Sequence, residues 1–131
     1  MMNSGELAEK IATLLDNKSG IDIEIMKIEE LTILSDYFVI CSGTTTPHLR
    51  ALSNEIELKL KDEDSLFPHN IEGYDTGGWI LMDYGSVIVH IFTKEMRQHY
   101  SLERLWADAP RVEIGGDKSP LGIANKKDST D

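Results

Sequence analysis

Apolar residues recur along the chain with two periods, and these periods predict an alternation of helices and strands. Near the start, four apolar residues are spaced as on one face of a helix: Leu7, Ile11, Leu14 and Leu15. Asn3, with Glu6 three residues later, has the pattern of an N-terminal capping box. Strict alternation over residues 21–25 predicts a half-buried strand, whereas the nearly continuous apolar residues 36–41 predict a central strand covered on both faces.

A second helix is predicted to begin after the turn at residues 42–47. Thr46 has a side chain that can cap this helix, and Pro47 suits its first helical position. The inward stripe of the helix consists of four residues at helical spacing: Leu49, Leu52, Ile56 and Leu60. The polar stretch that starts at about Lys61 then ends the helix.

Two further strands are predicted at residues 79–83 and 87–93, and a third helix is predicted over about residues 94–106. Residues 68–78 read as a loop that has room for a short strand. Because only a few residues join the last two strands, these strands must be antiparallel. The strand–helix–strand passage around the second helix implies a right-handed parallel crossover. The sequence therefore predicts an α/β (α+β) fold, a mixed β-sheet flanked by helices.

The predicted hairpin sorts its side chains into two faces. A two-residue turn at either Gly85-Ser86 or Tyr84-Gly85 gives the same two sets. The core face consists of apolar residues: Ile80, Met82, Tyr84, Val87, Val89 and Ile91. The second face is more mixed: Trp79, Leu81, Asp83, Ile88, His90 and Phe92. Aromatic rings beside a histidine and a carboxylate are typical of protein-binding hot spots, but the same face also suits a core covered by helices.

Charge is unevenly distributed along the 131 residues, which carry a formal net charge of −10. Residues 111–131 are balanced in charge and lack periodicity, so we expect one domain over residues 1–110 and a mobile tail over residues 111–131. An acidic domain is a poor candidate for broad contact with nucleic acid and favours a basic protein partner, unless acidity serves solubility alone. The lone Cys41 and the lack of an apolar run of about 20 residues predict a cytoplasmic protein without a membrane span.

The strongest hint of catalysis is the turn Ser42-Gly43-Thr44 between a strand and a helix. Nucleotidyltransferases hold a nucleotide at such a turn, but they need paired carboxylates on the next strand to bind Mg²⁺. The next strand offers Asp83 alone, and no lysine follows the turn as in a P-loop. The four histidines have no partner at metal-ligand spacing, and Cys41 fits a small buried residue. No metal, cofactor or catalytic residue is therefore predicted.

Three linked segments, residues 36–44, 79–85 and 87–92, resemble the Iojap-like family of ribosomal silencing factors. Five further features complete the pattern: Arg97, Tyr100, residues 102–106, Asp108 and Ala109. The resemblance covers roughly residues 5–110 and is specific, because several motifs occur in order at the family's spacing. One departure is Pro47, at a position where the family commonly has an arginine. It puts a basic side chain's role there in doubt but leaves the helix start intact.

The resemblance implies a mixed sheet related to the nucleotidyltransferase fold but without its catalytic carboxylates, and a protein that is not an enzyme. It implies binding to large-subunit ribosomal protein fourteen, on the face where the small subunit would dock. Occupying that face blocks subunit joining and lowers translation when nutrients run short. The resemblance further implies a cytoplasmic, ribosome-associated protein that is a homodimer when free and has little direct nucleic-acid contact.

The residues expected to bind the ribosomal protein come from the hairpin and the third helical region: Trp79, Leu81, Asp83, Tyr84, His90, Phe92, Tyr100 and Trp106. Tyr84 is included although it also belongs to the core face of the hairpin. Two alternatives stay open. The turn at Ser42 favours a nucleotide-binding or nucleotidyltransferase-like enzyme, and the aromatic face is also compatible with a general dimeric adaptor.

Overall fold

A six-stranded mixed sheet organises residues 2–114, the part of the chain that the computed structural model describes. The strands are, in chain order, β1 (Ile21–Lys27), β2 (Tyr37–Gly43), β3 (Asn70–Glu72), β4 (Trp79–Asp83), β5 (Val87–Thr93) and β6 (Arg111–Val112). The helices are α1 (Ser4–Asn17), α2 (Thr46–Asp64), α3 (Lys94–Tyr100) and α4 (Leu102–Leu105). The strand order is β3-β4-β5-β2-β1-β6, with β2 and β5 parallel and all other neighbours antiparallel. The predicted mixed sheet flanked by helices is confirmed.

Helix α1 begins with the capping box that the sequence predicts. The Asn3 side chain accepts a hydrogen bond from the Glu6 amide at 2.8 Å, and the Glu6 carboxylate accepts one from the Asn3 amide at 3.0 Å. These two bonds satisfy amides that have no partner within the helix. The cap thereby fixes where α1 starts.

Replacing Asn3 by alanine is expected to lower the free energy of unfolding by about 1 kcal/mol, because the Glu6 amide loses its acceptor. Urea denaturation followed by circular dichroism measures the change. Asn17→Ala is the matched control, since Asn17 is exposed at the other end of the same helix. Equal stability of the two variants would contradict the role of the cap.

The larger core lies between the sheet and helices α1 and α2. The predicted core face of the hairpin is buried there: Ile80, Met82, Tyr84, Val87, Val89 and Ile91. Trp79 pairs with Phe92 and Asp83 with Ile88, so the two-residue turn is Gly85-Ser86. Gly85 has a φ of +84°, a conformation that glycine adopts without strain. The predicted division of the hairpin into two faces is therefore confirmed.

Helix α2 differs from its predicted bounds at both ends. Its N-cap is Thr45 instead of Thr46, because the Thr45 hydroxyl accepts the His48 amide at 3.1 Å. The helix also continues past Lys61 to Asp64. The amine of Lys10 on α1 lies 2.8 Å from a Glu63 oxygen and 2.6 Å from an Asp64 oxygen, and this contact offsets the unfavourable position of two carboxylates at a helix C-terminus.

The predicted single helix over residues 94–106 is wrong in detail, because the chain forms two short helices there. Ser101 separates α3 from α4 with a left-handed backbone (φ +48°), and its amide donates to the Arg97 carbonyl at 2.9 Å. The change of direction lets Arg97 reach Glu103 and lets Trp106 pack edge-on against Phe38. These long-range contacts override the local helical pattern.

The prediction of a tail without regular structure from residue 111 is wrong for its first two residues. Arg111 and Val112 form strand β6, paired with Met26 and Ile25 at the edge of the sheet. Residues 115–131 of the predicted mobile tail lie outside the described part. Among the described residues, no helix has the length and apolar character needed to cross a membrane.

Candidate protein-docking site

Within residues 2–114, the short helices α3 and α4 and the residues that follow them cover the second face of the sheet. Its buried cluster contains six residues: Met26, Ile28, Phe38, Ile40, Phe92 and Ala109. Five partly buried residues pack against that cluster: Trp79, Ile88, Met96, Leu102 and Trp106. Because the cover is small, apolar side chains at the β4 side of this face stay partly open to solvent.

Three aromatic rings form a ladder from this cluster to the solvent. Phe92 is fully buried, and the Trp79 ring stacks on it with centroids 5.0 Å apart. The Tyr100 ring lies against Trp79 at 4.4 Å, and Tyr100 is 43% exposed. The inner ring therefore holds the outer two in place, and a rigid aromatic surface is well suited to bind a protein at low entropic cost.

A concave site of about 290 Å³ lies beside the outer rings. Its lining includes Trp79, Leu81, Met96 and Tyr100, and Glu72 is the charged residue among those that line it. We call the surface formed by Trp79, Leu81, Met96 and Tyr100 the aromatic surface. Gly78, which lies directly before Trp79 with a positive φ, lets the backbone approach this surface closely, because a Cβ there would lie 3.2 Å from the Met96 side chain. A concavity with apolar walls and one carboxylate suits an apolar or basic side chain of a partner.

His90 fixes the orientation of Trp79 from below. The Trp79 indole nitrogen donates to His90 Nδ1 at 3.2 Å, and the His90 ring contacts Phe38 edge-on at 4.8 Å. Because an indole N–H can only donate, His90 Nδ1 is the acceptor, and the proton of the neutral ring is on Nε2. Burial lowers the pKa of His90 to about 4, so the ring is neutral at pH 7. His90 is thus a positioning residue for Trp79.

The eight residues predicted to bind a partner do not form one surface. Trp79 and Leu81 are half-buried and Tyr100 is exposed, and these three meet at the concave site. His90 and Phe92 lie in the same region but are buried beneath it. Half-buried Trp106 packs against Phe38 and does not line the concavity.

Two of the predicted residues, Tyr84 and Asp83, lie near the hairpin turn and contact other parts of the protein. Tyr84 directly follows β4 and is buried in the core on the opposite face of the sheet from Trp79, because it continues the alternation of the strand. The Asp83 carboxylate accepts the Gly85 amide at 2.7 Å and so caps the turn. The lining of the concave site also includes Met96 and Glu72, which were not predicted from the sequence. Gly78, directly before Trp79, is the signal for a close approach at this point.

The turn Ser42-Gly43-Thr44 is closed by contacts within the protein. The Ser42 hydroxyl accepts a hydrogen bond from Arg97 at 2.9 Å, and the Thr44 amide donates to His48 Nδ1 at 3.0 Å. A Cβ at Gly43 would lie 2.6 Å from the Leu49 side chain, so close packing of α2 accounts for this glycine. The amides of Thr44 and His48, which could otherwise donate to a phosphate at this helix start, are therefore already used within the protein.

The remaining candidates for chemistry are Cys41, clusters of metal-binding side chains and an open charged cleft. Cys41 is fully buried, and burial raises the pKa of its thiol to about 12, so the thiolate is not populated at pH 7. Within residues 2–114, no group of three or more histidine, cysteine, aspartate or glutamate side chains is placed to hold a metal ion. An open cleft of about 830 Å³ between β1 and α3 is lined by both signs of charge, including Asp22, Lys94 and Arg104.

Arg97 ties α3 and α4 to the sheet. Its guanidinium contacts Glu103 at 2.6 and 2.7 Å, Ser42 Oγ at 2.9 Å and the Ile21 carbonyl at 3.5 Å, and its side chain is only 11% exposed. The planar fork of an arginine is needed to reach these groups together. Arg97 therefore holds the short helices that carry Tyr100 and Met96.

Replacing Arg97 by alanine is expected to lower the free energy of unfolding by about 2 kcal/mol, because Glu103 and Ser42 lose their donor. The partial exposure of Glu103 keeps the expected loss below that of a fully buried pair. Urea denaturation measures it. Arg104→Ala is the control, because Arg104 is an exposed arginine next to Glu103 in α4. A loss that is no larger for Arg97→Ala than for this control would contradict the assignment.

Comparison with known proteins gives the family. The sequence matches the family described as "Ribosomal silencing factor during starvation" over residues 1–131. The chain belongs to this family. It is 35% identical to the ribosomal silencing factor RsfS of Bacillus subtilis over 113 residues, which cover 86% of this chain and 95% of that protein. It is 33% identical to the RsfS of Halalkalibacterium halodurans over 115 residues, which cover 88% and 97%.

A solved structure supports the same assignment. A crystal structure of a protein from Chromobacterium violaceum superposes with a TM-score of 0.77 at 29% identity, covering 89% of this chain and 98% of that one. The resemblance to ribosomal silencing factors is therefore confirmed.

Proposed function

We propose that this ribosomal silencing factor docks on large-subunit ribosomal protein fourteen through the aromatic surface and sterically prevents the small subunit from joining. The observation that carries the proposal is the ladder of Phe92, Trp79 and Tyr100, whose outer rings face solvent beside a concavity. Exposed aromatic rings held by a buried one are typical of interface hot spots. Family membership supplies the ribosome as the partner, and translation is repressed under nutrient limitation by this block.

The charge of the chain supports a basic protein as the direct contact. The formal net charge of −10 attracts a basic ribosomal protein and disfavours RNA phosphates. Glu72, which lines the concavity, is placed to meet a basic side chain beside the rings of Trp79 and Tyr100. We therefore infer that the factor contacts the ribosome mainly through protein.

The predicted partner-binding residues divide into two roles in this proposal. Trp79, Leu81 and Tyr100 contact the ribosomal protein, because they reach the surface at the concavity. His90 and Phe92 position Trp79 from below without touching the partner.

We further infer that silencing requires no chemistry by this protein. The closed Ser42 turn and the protonated Cys41 thiol favour a steric mechanism over phosphoryl transfer or nucleophilic catalysis. A domain held at the subunit interface excludes the small subunit by volume alone. We infer that the protein acts on the ribosome in the cytoplasm. We propose that the protein is a homodimer when it is not bound to the ribosome.

Co-sedimentation tests the proposal. The purified protein is mixed with isolated large or small subunits and centrifuged through sucrose, and a direct binding assay uses purified ribosomal protein fourteen. We expect saturable binding to the large subunit and to the isolated ribosomal protein, and none to the small subunit. Failure to bind large subunits at saturating concentration would refute the function. Binding to large subunits but not to the isolated protein would refute the proposed contact.

A further inference from the structure

The loop between β1 and β2 exposes three large aliphatic side chains within four residues. Leu31 is 45% exposed, Leu34 71%, and Ile33 is as exposed as in an extended peptide at 102%. Single exposed apolar residues are common on protein surfaces, but a contiguous group of this kind marks an interaction site. None of these residues belongs to the aromatic surface, so the loop is a separate feature of the molecule.

Hydrogen bonds hold this loop in one shape. At its start, the Ile28 carbonyl accepts the amides of Leu31 at 2.9 Å and Thr32 at 3.1 Å. Within it, the Thr32 hydroxyl accepts the Leu34 amide at 3.1 Å. At its end, the Ser35 hydroxyl donates to the Ser86 carbonyl at 2.7 Å. A loop that is ordered before binding loses little entropy when a partner covers it.

The loop lies within reach of a partner that covers the aromatic surface. Its first residue, Ile28, is fully buried in the same second-face cluster against which Trp79 packs. Its last residues bond to Ser86 in the hairpin turn, and Trp79 is at the opposite end of β4 from that turn. Five residues of antiparallel strand span only about 13 Å, which is well within the width of an ordinary protein interface.

Charge indicates what kind of partner fits. Glu29 and Glu30 precede the three aliphatic residues and Asp36 follows them, so carboxylates flank the apolar group on both sides in the sequence. Lys27 is the nearby basic residue, and its amine already lies 3.7 Å from Glu29. A second copy of this chain would bring the same carboxylates face to face, which disfavours pairing through this loop.

We propose that residues 31–34 form a second anchor that inserts into an apolar pocket, rimmed by lysine or arginine, on a protein of the large ribosomal subunit. This inference rests on the proposed function. The aliphatic side chains supply apolar contact area, and the flanking carboxylates pair with the basic rim. The factor is then held at two points, the loop and the aromatic surface.

Two double variants test the apolar contact. Leu31→Ser/Ile33→Ser is compared with Leu58→Ser/Phe67→Ser, which removes two other exposed apolar side chains, 54% and 58% exposed. All four side chains are exposed, so neither variant loses a buried contact, and the lower helix propensity of serine at position 58 has only a small effect on stability. We expect the loop variant to bind large subunits at least about 10-fold more weakly than the unmodified protein does. The affinity of the control variant should stay within about twofold of that of the unmodified protein. Equal binding by both would overturn the inference.

Two substitutions of opposite charge at Ile33 test whether the proposed pocket has a basic rim. Ile33→Arg and Ile33→Glu place equal but opposite charges at the tip of the loop. We expect the arginine variant to bind the large subunit more weakly than the glutamate variant, with a difference that shrinks as salt is raised. Equal affinities, or the reverse order, would overturn the basic partner.

The outcomes separate this inference from the proposed function. Weak binding by Trp79→Ala with unchanged binding by the loop double variant overturns the second anchor and leaves the proposed function standing. Lack of large-subunit binding by the unmodified protein refutes the proposed function itself. If analytical ultracentrifugation shows that the loop double variant is monomeric while the control stays dimeric, and large-subunit binding is unchanged, the loop binds a second copy and the inference is wrong.

Discussion

Replacing Trp79 by alanine is expected to weaken binding to the large ribosomal subunit by about 30-fold or more, the effect of losing a central hot-spot residue. The indole contributes its own contact area and supports Tyr100, whose ring lies 4.4 Å from it. Tyr100→Ala removes the exposed end of the ladder without disturbing the buried Phe92 and should weaken binding in the same direction. Fluorescence-detected titration of labelled protein with purified large subunits gives the affinities.

Leu58→Ala is the control for both variants, because Leu58 is exposed on α2, which packs on the other face of the sheet. Trp79 also packs within the second-face cluster, so urea denaturation must show that the variant is folded at the titration temperature. If Trp79→Ala and Tyr100→Ala are folded and bind like Leu58→Ala, the aromatic surface is not the docking site. Trp106 and its neighbours in α4 then become the region to test.

Lowering the pH from 7 to 4 is expected to reduce the free energy of unfolding by roughly 3 kcal/mol through His90 alone. Burial lowers the pKa of His90 from 6.5 to about 4. Between these values the unfolded chain binds a proton that the folded protein does not, so stability falls as pH falls, by about 1.4 kcal/mol per pH unit at most. Well below pH 4 both states are protonated and this contribution changes no further.

Urea denaturation at a series of pH values measures this loss. His90→Asn is the informative variant, because its side-chain oxygen can still accept a hydrogen bond from Trp79 but does not titrate. Its stability should change less between pH 6.5 and 4 than that of the unmodified protein. His69→Asn is the control, since it makes the same substitution at an exposed histidine outside the second-face cluster. A pH dependence unchanged in His90→Asn would contradict the assignment.

The hairpin shows how much of this fold is predictable from the sequence. Both strands, residues 79–83 and 87–93, have the predicted bounds because apolar and mixed positions alternate strictly and Gly85 marks the turn. A one-residue shift would have mixed the two faces, so the pattern allows one register. The capping box at Asn3 was predictable for a similar reason, since its bonds are local.

The features that sequence reasoning missed depend on residues far apart in the chain. Ser101 breaks the predicted third helix, and the contacts that accompany this break link α3 and α4 to strands β1 and β2. Strand β6 has only two residues, too few to show a period, and it exists because β1 offers an unpaired edge.

The candidate site was predicted as a set of residue types but not as a surface. Alternation placed Trp79, His90 and Phe92 on one face, but which of them reaches solvent depends on how short α3 is. Likewise, the exposure of Ile33 could not be predicted, because an apolar residue in a loop gives no sign of whether another element covers it. Exposure is a property of the packed molecule.

Light scattering during subunit joining tests the central claim most directly. Large subunits are first saturated with the protein and then mixed with small subunits, and the rise in scattering reports the joined ribosome. We predict that the unmodified protein suppresses this rise, and that Trp79→Ala and Tyr100→Ala at the same concentration do so much less. A full rise in scattering while the protein demonstrably occupies the large subunits would contradict steric silencing through the aromatic surface.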